Sequence, residues 1–260
     1  MGTLILKMPL WLSLIMVLAI VVFLAGFTPV MIRRIYRHES LKHNNEVAGF
    51  NYAVLGAVYS VLLAFMTLAV YEEYKEGRNT IRIEASSITT LYQMAGGLSD
   101  PTRSRARNEL IRYTSSVVKE EWPLMEKGLE SGKTKGHMAE IWRIFIVHNS
   151  GSANESAIHS QSLGILNDLQ STRQRRITSS QTVIPGFMWF VLIMGAGITI
   201  AFSFFFGAPN LKAQVLMTTM LTVLITLILL LIVHLDNPFF GPISVSAEPF
   251  LRILQDLPPR

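Results

Sequence analysis

The 260-residue sequence contains no cysteine, which excludes disulfide bonds, thiolate zinc sites, iron–sulfur clusters and a cysteine nucleophile. Charged residues are also scarce, at 16% of the chain, whereas soluble globular proteins carry about 25%. The deficit is uneven, because residues 71–176 hold 15 of the 23 Lys and Arg and 13 of the 18 Asp and Glu. Two apolar blocks therefore flank a charged middle, which predicts a membrane protein. The net charge of +5 is too small for a nucleic-acid-binding stripe, so we expect no nucleic-acid partner.

Four uncharged runs are long enough to cross a bilayer, for which about 20 apolar residues are needed. They cover residues 8–32, 47–71, 177–211 and 213–235. A cleaved signal peptide is an alternative for the first run, but the run is longer than the roughly 7 to 15 residues of a signal-peptide core. In the third run, Pro185 and Gly186 separate an entry segment from a helix that begins near Pro185.

The order of apolar and charged segments predicts an all-α integral membrane protein. It has four transmembrane helices, with a helical bundle inserted between the second and third spans. The expected domains are a first helix pair, a soluble bundle, a second helix pair and a C-terminal tail, at residues 1–70, 71–176, 177–235 and 236–260 respectively.

Helical spacing also predicts the course of the chain within the bundle and the tail. Apolar residues three and four apart continue the second helix out of the membrane as far as Gly96. Pro123 is expected to kink a later helix, and residues 132–136 are expected to form a turn. Pro249 begins a short amphipathic helix, with Phe250 on its apolar face, that would lie on the membrane or on the bundle.

Basic residues near the span ends bear on orientation and on ions. One face of the membrane has eight such residues and the other has five. By the positive-inside rule the count favours a cytoplasmic bundle and cytoplasmic termini, in a multi-pass protein of the inner (plasma) membrane. The same residues would attract anions to a channel mouth or act as ordinary topology anchors at lipid phosphates. The candidates for mouth charges are Arg33, Arg34, Arg37, Arg173, Arg175 and Arg176.

The second span carries a stripe of small or weakly polar residues at helical spacing: Ala53, Gly56, Ser60, Ala64 and Thr67. Such a stripe favours close packing between helices, or it forms the wall of a pore. The candidate pore-lining residues, including bulkier ones near a constriction, are Gly56, Tyr59, Ser60, Leu63, Phe65 and Thr67.

Groups that carry out chemistry are few. Apart from His234 at the end of the fourth span, no ionisable side chain lies inside a span, whereas proton-coupled carriers and pumps commonly need one. Glu155 and His159 share a helical face, but a metal site needs three or four ligands. The sequence has no phosphate-binding loop, nucleophile elbow or HExxH motif. We therefore expect no enzyme, catalytic residue, metal or cofactor.

Three groups of residues resemble the bacterial bestrophin-like family. They are Glu84-Ala85, Glu121-Trp122-Pro123, and Leu235-Asp236-Asn237-Pro238-Phe239 followed by Gly241-Pro242-Ile243. The motif residues singled out as structural are Glu84, Trp122, Pro123, Asp236, Asn237, Pro238 and Phe239.

The resemblance implies a homo-oligomeric chloride channel, for instance a pentamer, with a cytoplasmic helical bundle. The chain has no clear match to the aromatic pore-neck motif or the acidic calcium cluster of bestrophins, so calcium gating is not implied. We expect a passive anion channel whose second span lines the pore and whose partners are the lipid bilayer, other copies of the chain and inorganic anions. The alternative is a non-conducting membrane sensor or scaffold whose bundle binds a partner.

Overall fold

The computed structural model describes residues 9–35, 45–148, 151–180, 184–206 and 210–257. These ranges form helices and connecting turns, and none of them contains a strand. The α-helices are α1 (Leu10–Ile35), α2 (Asn45–Met94), α3 (Thr102–Ser116), α4 (Trp122–Met125), α5 (Gly132–Ile146), α6 (Ala153–Thr178), α7 (Gly186–Phe204), α8 (Leu211–Leu235) and α9 (Glu248–Asp256).

Four helices, α1, α2, α7 and α8, are long and apolar enough to cross a membrane. The all-helical fold and the four predicted spans are therefore confirmed in the described ranges. Helix α2 has 50 residues, a length of about 75 Å at 1.5 Å per residue. Since a hydrocarbon core is about 30 Å thick, the helix continues well beyond one membrane crossing, as its spacing predicted.

Proline and capping side chains place the ends of the later spans. Helix α7 begins directly after Pro185, whose backbone is extended (φ −57°, ψ 143°), so the predicted start is confirmed. Helix α8 begins at Leu211 because the Asn210 side chain accepts a hydrogen bond from the Lys212 backbone N–H at 2.9 Å. It ends at Leu235, and Pro238, three residues later, cannot continue a helix.

The structure bears on two local predictions for the bundle. The turn expected over residues 132–136 is wrong, because α5 begins at Gly132. The Ser131 hydroxyl caps this helix by accepting a hydrogen bond from the Thr134 N–H at 3.3 Å. Where Pro123 was expected to kink a helix, a five-residue π-helical segment over Val117–Glu121 precedes α4. Pro123 has no N–H to donate to the preceding turn, which accounts for the interruption.

The chain divides into two compact units. The described residues of the first, called here the span unit, are 9–35, 45–72, 184–206, 210–237 and 241–243. Within it, α1 packs mainly along α8, and α7 also packs on α8.

The described residues of the second, called the bundle unit, are 73–148, 151–180, 238–240 and 244–257. Its core includes the contact between α3 and α5. Phe250 and Ile253 of α9 are buried in this core, so of the two expected locations for the C-terminal helix, the bundle is the observed one.

Candidate functional site

One side of α2 is packed inside the span unit. Its buried side chains are Tyr59, Leu63, Met66 and Val70. The Tyr59 hydroxyl donates a hydrogen bond to the Leu192 carbonyl on α7 at 3.0 Å. The close approach requires Gly195, because a Cβ on that residue would lie 2.6 Å from the Tyr59 ring. This side is therefore a helix–helix contact within one chain.

The remaining circumference of α2 has two different surfaces. One carries large apolar side chains that are all at least half exposed: Phe50, Val54, Val58, Val61 and Phe65. The other, called here the small-residue face, carries Ala53, Gly56, Ser60, Ala64 and Thr67, which are exposed or half-buried. No described atom lies within 4 Å of the position that a Cβ on Gly56 would occupy. Large apolar side chains suit lipid, whereas small ones suit close approach by another helix or by water.

The candidate pore residues therefore do not share one face. Gly56, Ser60 and Thr67 lie on the small-residue face. Tyr59 is only 6% exposed because its ring packs on α7, and Leu63 is buried on the same side. The inclusion of these two residues as pore-lining is corrected, since a side chain buried in its own chain offers no surface to a pore.

Phe65 is 67% exposed but lies about 140° around the helix from Ser60, since successive residues are about 100° apart. The two side chains cannot both face the same pore.

Asp236 joins the beginning of α7 to the end of α8 within the span unit. Its carboxylate accepts hydrogen bonds from the Ile184 backbone N–H at 2.7 Å and from the Trp189 indole N–H at 3.0 Å. Asp236 is buried, so these two bonds satisfy a carboxylate that has little access to water. This arrangement gives the Asp of the tail motif a structural role.

The bundle unit contains a fully buried cluster of charges. The Arg176 guanidinium donates to Glu84 at 2.6 Å (Nε to Oε2) and to Glu121 at 2.8 Å (Nη2 to Oε2). Arg173 binds Glu121 through Nε and Nη2, and the Tyr113 hydroxyl donates to Glu84 Oε1 at 2.7 Å. Two arginines thus balance two carboxylates, which is the condition under which buried charges are tolerated.

The pKa values in this cluster follow from burial and pairing. Burial by itself would raise the pKa of Glu121, but hydrogen bonds and positive charge from Arg173 and Arg176 outweigh it and lower that pKa. Burial would lower the pKa of Arg176, and the charge of Glu84 outweighs it and raises the pKa. Burial, followed by the charge of Glu84, raises the pKa of the Tyr113 hydroxyl. Glu121 and Arg176 therefore stay ionised at neutral pH.

Aromatic rings enclose the same guanidinium. The Arg176 Cζ lies 5.8 Å from the centroid of the Trp122 ring and 5.6 Å from that of Phe250. The Trp122 ring meets Phe239 edge-on at 5.8 Å between centroids. Glu84 and Trp122, from two separate sequence motifs, therefore contact one arginine, and Phe239 of a third motif packs on the Trp122 ring.

Comparison with known protein families identifies the family of this chain. The model of the bestrophin-like domain matches residues 9–250. The chain belongs to the bestrophin-like family. The resemblance carried by the sequence motifs is thus confirmed, and the protein is a helical membrane protein. No curated protein matches the chain.

Solved structures show the fold of this bestrophin-like chain. A variant of a bacterial bestrophin homologue from Klebsiella pneumoniae is 12% identical, with a TM-score of 0.71, and the match covers 94% of this chain and 99% of that chain. A second variant from the same organism is 14% identical, with a TM-score of 0.69, and the match covers 94% and 97%. A structure described as a membrane protein is 12% identical, with a TM-score of 0.69 and coverages of 92% and 97%. At these identities the likeness concerns the fold alone.

The arginines proposed as mouth charges of this bestrophin-like protein have different environments. Arg173 and Arg176 are buried and both guanidiniums bind carboxylates, so the expectation that they are charges at a channel mouth is corrected. Arg175, between them in sequence, is exposed.

At the end of α1, Arg34 is exposed, and the half-buried Arg33 donates from Nε to Gln214 Oε1 at 3.0 Å. Arg37 lies outside the described residues.

Sequence reasoning missed the pairing of these arginines with buried carboxylates. A signal was present, because Glu84 occupies a position in the apolar spacing that runs through Ile81, Ile88 and Leu91. Acidic residues are almost never fully buried unless they are paired. A carboxylate in an apolar stripe therefore indicates a buried cation elsewhere in the chain, although it does not say which one.

The carboxylate of Glu155, weighed earlier as a metal ligand, has a structural role. It accepts hydrogen bonds from the backbone N–H groups of Ser99 at 2.8 Å and Gly151 at 2.9 Å. These bonds, the one from Gly151 first, lower its pKa to about 2. His159 bonds instead to the Phe145 carbonyl at 2.7 Å. Among the described residues, no three His, Asp or Glu side chains come together as a metal site would require.

Proposed function

We propose that the protein is a homo-oligomeric ion channel that conducts anions passively, with one face of α2 from each subunit lining the pore. The observation that carries this proposal is the small-residue face of α2, on which Ser60 is exposed and no described atom lies within 4 Å of the position of a Cβ on the half-buried Gly56. Membership of the bestrophin-like family supports it.

The chemistry of the small-residue face suits a passive pore. Between residues 47 and 71 the helix has no charged side chain, and a passive pore needs none because its narrow part can be apolar. The Ser60 hydroxyl donates to the Ala57 carbonyl at 2.8 Å, and the Thr67 hydroxyl to the Leu63 carbonyl at 2.7 Å. Their oxygens remain as weak polar groups on a face with little side-chain volume.

One helix cannot enclose a pore, so the proposal requires several copies of the chain around a common axis. A pentamer is the proposed assembly, with the bundle units and both termini in the cytoplasm. The exposed Arg34 and Arg175 are the proposed mouth charges, because a positive potential raises the local concentration of anions. In an assembly each of the two residues would form its own ring, with one positive charge from every subunit.

The absence of cysteine from the sequence permits a direct test. Single-cysteine variants Ser60→Cys and Phe65→Cys place one thiol on the small-residue face and one on the large apolar face of the same helix. Each protein is purified, its mass is measured as an assembly, and chloride efflux from liposomes is recorded before and after a charged thiol reagent. We expect modification of Ser60→Cys to reduce the flux several-fold and modification of Phe65→Cys to leave it unchanged.

Sulfate and gluconate replace chloride in control experiments, and empty liposomes give the baseline. Unchanged flux through fully modified, oligomeric Ser60→Cys protein would exclude the small-residue face as the pore wall. A monomer or dimer that conducts nothing would favour the scaffold function instead.

A further inference from the structure

A groove of about 720 Å³ lies in the bundle unit between α5, α6 and the turn after α4. Its apolar wall is formed by Leu129, Met138, Ala139, Trp142 and Ile177, and its polar part by Glu130, Lys135, Gln170, Arg173 and Gln174. Pockets of roughly 300 to 1,000 Å³ with mostly apolar walls and a few directed polar groups are typical of small-molecule sites. The groove has this size, and its lining is more polar than apolar, which suits a ligand that carries both a polar and an apolar part.

The polar part of the groove contains one nearly buried cation with an unused edge. Arg173 binds Glu121 through its Nε and Nη2 atoms, and Nη2 lies 3.9 Å from the Glu130 carboxylate. Its Nη1 meets no hydrogen-bond acceptor among the described residues. Since guanidinium N–H groups are donors only, the Nη1 edge needs an acceptor, and an anionic one binds most strongly.

The other polar groups of the groove differ in how they are held. The Trp142 indole N–H donates to Gln170 Oε1 at 2.5 Å, which holds the ring in one orientation on the groove wall. Gln174 is exposed on the groove, and its side-chain amide can donate or accept a hydrogen bond. Lys135 pairs with Glu130 at 3.2 Å.

We propose that this groove binds a small amphipathic carboxylate, with its apolar part against Trp142 and its carboxylate on the Nη1 edge of Arg173. The volume limits the ligand to a small molecule. Because Glu121 and Glu130 already lie beside Arg173, a ligand with one negative charge is favoured over a multivalent anion. A ligand that binds the folded bundle unit and not the unfolded chain raises the unfolding midpoint.

The test uses the full-length protein in detergent, with phenylacetate as the probe. Binding is measured by isothermal titration, and the unfolding midpoint is measured with and without probe. We expect saturable binding with one site per chain and a raised midpoint. Benzyl alcohol, which lacks the carboxylate, should bind at least tenfold more weakly.

Variants that do not touch the buried charges locate the site. Ala139→Trp fills the groove from an exposed position, and Gln174→Leu removes the exposed amide. Both should weaken phenylacetate binding, Ala139→Trp at least tenfold. Asp168→Trp, on an exposed position of α6 outside the groove, is the matched control and should bind as the unaltered protein does.

Three results would overturn the proposal. One is the absence of saturable phenylacetate binding, and another is equal binding by Ala139→Trp and Asp168→Trp. The third is an Ala139→Trp protein that binds no probe and also loses its assembly, because the groove would then be a contact between copies of the chain. None of these results depends on whether the protein conducts ions.

Discussion

Removing one carboxylate from the buried cluster should cost far more stability than removing one from the surface. In Glu84→Gln, the charge of Arg176 is left with only Glu121, which Arg173 already binds. Loss of one partner from a buried ion pair costs about 3 to 5 kcal/mol. The new amide can still accept a hydrogen bond from Tyr113, so we expect the lower end, about 3 kcal/mol.

The double variant Glu84→Gln/Arg176→Met separates the cost of unbalanced charge from that of lost packing. It leaves the pair between Arg173 and Glu121 neutral, and methionine fills much of the volume of the arginine side chain. Replacing a buried ion pair by an apolar group is often neutral or stabilising. We therefore expect the double variant to recover at least about 2 kcal/mol relative to the single one.

Equilibrium unfolding in detergent, followed by tryptophan fluorescence and circular dichroism, measures these differences. Glu248→Gln is the surface control, because Glu248 and its partner Arg252 have side chains that are 60% and 71% exposed. Such exposed pairs are worth about 0 to 1 kcal/mol. A double variant as unstable as Glu84→Gln would refute the argument from charge balance, and so would a single variant as stable as the control.

Three further predictions concern packing, the tail motif and pH. Gly195→Ala should destabilise the protein by about 1 to 3 kcal/mol, because its Cβ would lie 2.6 Å from the Tyr59 ring, whereas Gly197→Ala meets nothing within 4 Å and should be neutral in the same unfolding assay. Asp236→Ala should lower the yield of folded protein while leaving the flux per folded oligomer unchanged, and a changed conductance with normal assembly would instead place the residue in the permeation path. The pKa of Glu155 is lowered from 4.5 to about 2, so its contribution to stability is complete above pH 4.5 and is lost as the pH falls toward 2. Glu155→Gln should therefore flatten the stability profile over this pH range. A profile identical to that of the unaltered protein would count against the role of the carboxylate.

Much of the fold was predictable because the relevant forces act locally along the chain. A membrane span needs about 20 consecutive apolar residues, so the four runs are visible without any tertiary contact. Pro185 acts on the backbone next to it, and the fourth apolar run ends at residue 235, which is why the beginning of α7 and the end of α8 were predicted correctly. The start of α5 was missed because a turn was expected from glycines, whereas the Ser131 cap decided the helix.

The tertiary structure decided which residues meet. Glu84 and Arg176 are 92 positions apart in the sequence, and no local pattern couples a carboxylate to one particular arginine. Arg173 and Arg176 were predicted to be mouth charges because they lie near a span end in the sequence. Their partners are distant in the sequence, and only packing shows that both arginines are buried in the bundle unit.

The sequence by itself determined that the chain crosses a membrane, that it is helical, and where several of its helices begin and end. Each of these follows from the hydropathy and backbone preferences of neighbouring residues. Only the tertiary structure decided that Tyr59 faces another helix of its own chain and that Ser60 does not. Both residues fit a helix equally well, and the side that becomes buried depends on a glycine on a distant helix, which leaves room for the ring.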